Sequence, residues 1–352
     1  MHRKSLLILL LALAGVSTAA CSPVYVLRAG LEEVRILSRR TPIEEMIEDP
    51  ATDAETRRKL ELVLQARTFA AEVLGLNAGE SYTTYSWIDR DTLAMVLSAA
   101  RKDRFEALTW WFPIVGRVPY KGFWTLDDAR EAAERLERRG YDTYIRPTTA
   151  FSTLGWFNDP LLSTVLRYDD VNLVATVIHE LTHNTIFIPG HVAFNESFAS
   201  FVGDRGATEF FCAIEGPEGE RCRYATAAWA DNIVFGEYLS ELVADLEALY
   251  ARTDLDRDQI IAARDSVFER ARARFAESYR PRLQTPGFAN IAATPVNNAH
   301  LIAWRLYYDR LDIFEELYQR FQGDLPSAIA AVVRAAEAAG SDPYATVAAI
   351  TP

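Results

Sequence analysis

His179, Glu180 and His183 stand in the run Val177-Ile178-His179-Glu180-Leu181-Thr182-His183-Asn184. This is H-E-x-x-H. On a helix the two histidines lie one turn apart on one face, so their imidazoles can hold a single zinc ion. Glu180, one step round, can then reach a water bound to that ion and serve as general base. The residues before it (Asp170, Val171, Leu173, Val174, Val177 and Ile178) form an amphipathic run, so the required helical context is present. The chain has five histidines in 352 residues. Chance would put this pattern in roughly half a percent of such sequences. An apolar, β-branched helix is also a costly place for unpaired imidazole.

One protein ligand remains to be found. Glu196 leads, in a second helix reached through the Pro189-Gly190 turn, which would let the two helices lie side by side. A carboxylate there completes a His₂Glu site with one position left for water. The alternative is His191, eight residues after His183. For the oxyanion that peptide hydrolysis would create, the candidate donors are Tyr307, Tyr308, His300 and His191. The loop 152–158, containing Gly155 and Trp156, is a candidate edge for aligning a peptide backbone.

The rest of the chain must position these groups. Residues 22–109 read as helical, with a Thr52/Glu55 capping box and with Leu93 to Leu97 continuing the helical pattern. Residues 110–165 alternate aromatic and β-branched stretches with Gly and Pro, which indicates short strands. Within them a helix opens at Thr125 and closes at Gly140, and Tyr141 to Ile145 is a further strand. Residues 166–215 carry the zinc-binding helices. Residues 223–350 are helical, with segments at 235–250, 259–275, 298–321 and 326–339. No linker or repeat divides the chain, so 21–352 reads as one unit. The expected fold is α+β and mostly helical, with a small zincin-like sheet on the HExxH helix and a C-terminal helical region.

The first twenty residues have the form of a secretion signal: Arg3 and Lys4, the apolar run Leu6 to Gly15, then small residues up to Cys21. A cysteine in that place implies lipidation of Cys21, and Ser22 after it implies an outer-membrane address facing the periplasm. An exported chain can pair Cys212 with Cys222 across the polar 215–220 turn. Without Arg3 and Lys4 the chain carries 35 basic and 49 acidic residues, a net charge of −14, which argues against nucleic acid as a partner.

Several longer stretches carry a resemblance. Asn195-Glu196 is similar to the Asn-Glu of gluzincin peptidases. The acid expected one turn later is Ser200 here, which leaves Asp204 as the candidate to orient a ligand histidine. Ser22-Pro23-Val24-Tyr25, Leu27-Arg28-Ala29-Gly30, Phe112 to Gly116, Val118 to Gly122, Ser152 to Phe157, Asp159-Pro160-Leu161-Leu162, the 179–196 core and Asn297-Asn298-Ala299 resemble the bacterial predicted-aminopeptidase family of zinc-dependent lipoproteins. The resemblance implies an exported peptidase with one Zn²⁺ per chain that trims amino-terminal residues from peptides. It also favours a tyrosine of the C-terminal helices, Tyr308 or Tyr307, as oxyanion donor. The open alternatives are a zinc endopeptidase or other zinc hydrolase, and a non-catalytic zinc-binding lipoprotein.

Overall fold

A computed structural model describes residues 34–112, 116–148, 158–337 and 342–351. The signal segment, Cys21, Gly155 and Trp156 lie outside these residues. The architecture is α+β and mostly helical. Among the described residues no helix is long and apolar enough to cross a membrane.

After a helical stretch at 34–38, β1 (Thr41–Pro42) leads into α1 (Ile43–Glu48) and α2 (Ala54–Glu72). The cap of α2 is Asp53, whose side chain accepts from Thr56 N, rather than a box of Thr52 with Glu55. β2 (Thr84–Ser86) pairs with β1 and, in parallel, with β8 (Leu161–Leu162).

The segment expected to be helical at Leu93 to Leu97 is instead β3 (Ala94–Arg101). It is the central strand of an antiparallel sheet, between β6 (Tyr120–Phe123) and β7 (Tyr141–Thr148). Residues 96–100 are all buried, because α3 (Leu126–Glu137) covers one face of the sheet and a C-terminal helix the other. A strand covered on both faces loses its alternation and reads as a continuous apolar run, which periodicity does not separate from helix. β4 (Trp110–Phe112) and β5 (Gly116–Val118) form a separate hairpin. Thr125 caps α3 as expected, and Gly140 follows the helix at φ +79°.

The HExxH segment lies in α4 (Asp170–Thr185) and Glu196 in α5 (Val192–Glu215). α4 packs chiefly on α5 and α2, and the three-stranded sheet faces it across a cavity rather than packing on it. α6 (Glu220–Tyr250) starts well before the expected Phe235, directly after the turn that Cys212–Cys222 closes as a disulfide, with its Cα atoms 4.7 Å apart. α7 (Arg257–Arg274) returns antiparallel, opened by a capping box of Asp256 and Gln259. The expected helix at 298–321 is two helices, α8 (Asn298–Tyr308) and α9 (Leu311–Arg320), broken at Arg310, whose φ is +53°. α10 (Leu325–Glu337) and α11 (Pro343–Ala348) finish the chain.

The largest apolar core joins α2, α4 and α5 to α9 and α10, with Phe194, Phe198, Phe201 and Phe314 at its centre. Smaller cores lie between α6, α7 and α8, and between the sheet and α3.

Candidate active site

The first turn of α4 is anchored from three sides. Asp169 caps it by accepting from Asn172 N at 3.0 Å. Asp170 accepts from Arg58 of α2 at 2.7 Å and from Arg221 of α6 at 2.9 Å. Lys59 donates to the carbonyls of Leu166 and Tyr168, both at 2.7 Å. These contacts set the helix's direction before it reaches His179.

The turn between α4 and α5 closes on Asn195. Its Oδ1 accepts from Ile188 N and its Nδ2 donates to Ile188 O, each at 2.9 Å. The asparagine of the Asn-Glu pair therefore shapes the backbone, and the next residue, Glu196, is turned toward the histidines. Close approach of the two helices needs glycine. A Cβ at Gly203 would lie 2.7 Å from Ala175 O and 3.1 Å from His179 Cβ.

Three side-chain atoms converge. His179 Nε2 and His183 Nε2 are 3.2 Å apart. Glu196 Oε2 lies 3.5 Å from the first and 3.8 Å from the second. Tetrahedral zinc with bonds of about 2.0–2.1 Å would space its ligand atoms about 3.4 Å apart. The three observed spacings bracket that value, so the donor set fits that ion. His183 Nδ1 is buried and finds no partner among the described residues, so this imidazole's one directed contact is toward the shared centre. Burial opposes the charge on Glu196, yet the two imidazoles outweigh it and hold the carboxyl far below its usual pKa. His191, the alternative ligand, forms no part of this group; it caps α5 through its backbone.

Glu180 lines the same cavity, of about 960 Å³, and makes no hydrogen bond among the described residues. Burial raises its pKa above the ordinary glutamate value, only partly offset by His179 and His183. A carboxylate at the cavity wall is placed to accept a proton there.

The sheet supplies the opposite wall. Val96 of β3 is registered with Arg146 on β7 and with Gly122 on β6, and Ser98 with Tyr120, so Arg146 and Tyr120 share a face turned to the cavity. α8 is pinned to this sheet by the Asn297-Asn298 pair. Asn297 caps the helix and donates to Thr143 O at 3.0 Å. Asn298, fully buried, donates to Arg101 O at 2.8 Å through Nδ2 and to Asp142 at 3.1 Å through its backbone N–H.

Tyr307 and Tyr308 are consecutive at the end of α8, so their side chains leave the helix in different directions. Tyr307 turns to Arg146, which donates to its hydroxyl at 3.0 Å, and its ring centroid is 6.4 Å from that of His179. Burial pushes the phenol up to about 12 against the lowering pull of Arg146. Tyr308 instead sits edge-on to Phe235 at 5.0 Å and Phe288 at 5.6 Å, a packing role, although it also borders the cavity. His300 stacks on Tyr144 with centroids 3.9 Å apart and bonds to Asn297, away from the His179, His183 and Glu196 group. Asp204, the expected partner for a ligand histidine, makes no hydrogen bond to either; its carboxyl accepts from Asn232 at 2.8 Å. Arg146 and Asn232 were not legible as site residues, since each comes from an element brought in by tertiary packing.

Fold and site together define an α+β protein with a helix-borne His-Glu-His set and a neighbouring glutamate, opening on a cavity large enough for a short peptide. The sequence matches the family described as "Putative aminopeptidase" over residues 24–342, and the chain belongs to it. Comparison with curated proteins and with solved structures gives no match.

Proposed function

We propose that this chain is a zinc-dependent aminopeptidase with a zincin-like catalytic core, built as one unit across the family match. The observation that carries the reading is the convergence of His179 Nε2, His183 Nε2 and Glu196 Oε2 at 3.2–3.8 Å beside a Glu180 that makes no hydrogen bond among the described residues. His179, His183 and Glu196 would hold one zinc ion, which would polarise the scissile carbonyl and acidify a water. Glu180 accepts the water's proton and returns it to the leaving amine. Tyr307 is the oxyanion donor: its oxygen accepts from Arg146, so its own proton is free to point into the cavity. Retention of Glu180 favours catalysis over a purely structural metal, which needs no base. The signal-like start and Cys21 support export and a lipid anchor in the outer membrane, facing the periplasm.

The test is metal analysis of the purified chain followed by cleavage assays on a peptide library in free and N-acetylated form. About one zinc per chain, turnover of free-amine peptides alone, and loss of turnover with retained zinc in Glu180→Gln would support the reading. Equal cleavage of acetylated peptides would make it an endopeptidase, and zinc without any turnover would make it a binding protein.

A further inference from the structure

An aminopeptidase needs a group that recognises a free amino terminus, and the metal-ligand set and Glu180 are committed elsewhere. We propose that Asp204, held by Asn232, is the anchor for the protonated α-amine of the substrate; this rests on the peptidase reading above.

The placement is favourable. α5 lines the cavity with Glu196, Ser200, Gly203 and Asp204 in succession. Asp204 lies two turns, about 12 Å along the axis, beyond Glu196. Helical side chains lean toward the helix N-terminus, which tips its carboxyl back toward the metal-ligand group. Asp204 and His179 feel each other electrostatically, yet no ring nitrogen of His179 or His183 comes within 4.0 Å of the carboxylate.

The carboxylate is enclosed by protein but open to the cavity. Its Oδ2 accepts from Asn232 Nδ2 at 2.8 Å. Among the described residues Oδ1 accepts nothing, and no Arg or Lys lies within ion-pair distance. A desolvated carboxylate without a counter-charge is expensive to keep, and burial accordingly pushes this one up to about 6. A ligand ammonium entering through the cavity supplies what the protein lacks.

Asn232 is itself held in place. Its neighbour Asp231, 1% exposed, accepts from Gln284 N at 2.8 Å, Thr285 N at 2.7 Å and Thr285 Oγ1 at 2.6 Å. This clamps α6 to the 284–287 segment, whose Thr285 and Gly287 also border the cavity. Such a support for one polar side chain is what a fixed recognition site requires.

The experiment is calorimetric binding of leucinamide and of N-acetylleucinamide to the zinc-loaded full chain. The wild type should prefer the free amine by at least about tenfold. Asp204→Asn should abolish that preference with zinc content unchanged, and Asn232→Ala, which keeps the charge, should reduce it. Should Asp204→Asn fail to fold, the Asn232→Ala result decides. A preference that survives both substitutions, or loss of zinc in Asp204→Asn, would overturn the assignment. A wild type that shows the preference but cleaves no peptide would overturn the peptidase reading alone. Peptide cleavage with no such preference would overturn the amine site alone.

Discussion

Arg146 and Tyr307 meet across 161 residues of chain, with Arg146 Nη2 donating to the Tyr307 hydroxyl at 3.0 Å. The guanidinium is half-buried on the cavity wall, and among the described residues no carboxylate lies within 4.0 Å of it. Its charge is therefore directed at a phenol whose proton is left for a ligand. Tyr307→Phe should lower kcat by about 10²–10³ with KM little changed, as expected on removing one oxyanion donor. Tyr308→Phe, which alters an aromatic packing contact, should stay near wild type. Equal losses in the two variants would show that neither tyrosine is the donor.

Gly203 sets the spacing of the two helices that carry His179, His183 and Glu196. Gly203→Ala would force a methyl against Ala175 O and His179 Cβ. The expected cost is about 1–3 kcal/mol of stability, with zinc affinity reduced as His179 is displaced. Denaturant unfolding and zinc competition by a chelator read the two effects separately. An unchanged midpoint would mean that the helices can part without loss.

Asn298 joins α8 to the sheet. Replacing it by Ala removes the donor to Arg101 O and the acceptor of Tyr250 O–H at 2.9 Å. Leaving buried polar groups unpaired costs about 1–3 kcal/mol each. A lower melting temperature should be accompanied by a fall in kcat, because Tyr307 rides on the same helix. A stability loss with kcat intact would separate the anchor from the catalytic wall.

Metal that binds the native site but not the unfolded chain stabilises by mass action. Free zinc at a hundred times its dissociation constant should add about 2.7 kcal/mol. Chelation should lower the melting temperature of the wild type and leave that of His183→Ala, which lacks a ligand, unmoved. Identical responses of the two proteins would place the bound metal elsewhere.

Cys212 and Cys222 close a short loop between α5 and α6, with a sequence separation of 10. Losing that closure in Cys222→Ser should cost about 2.5 kcal/mol by chain entropy. The joint lies at the far end of α5 from Glu196, so kcat should hold at temperatures where the variant remains folded. A matching fall in kcat would show that the joint positions the site.

How much of this was legible in the sequence follows from the range of each interaction. Positions i and i+4 of a helix are neighbours by geometry alone, so His179 and His183 could be paired from their spacing. A short turn joins α4 to α5, which brought Glu196 within reach of inference, and the cysteines were paired by the same short-range logic. Ambiguity began where burial erased periodicity: β3 is covered on both faces, and its apolar run resembled helix. Capping residues in Asp-Thr clusters compete locally, so Asp53 displaced the expected Thr52. Consecutive tyrosines carry the same chemistry, and only the seating of α8 between sheet and helices turned Tyr307 to Arg146 and Tyr308 into an aromatic cluster. Asn232 and Asp204 meet because α5 and α6 pack against each other, a relation with no one-dimensional signature. The sequence by itself marked His179, Glu180, His183 and Glu196 as one candidate set, because local helix geometry and a short turn encode their proximity. Tertiary structure alone decided the wall opposite them, because which side chains meet across a cavity depends on how separate elements pack.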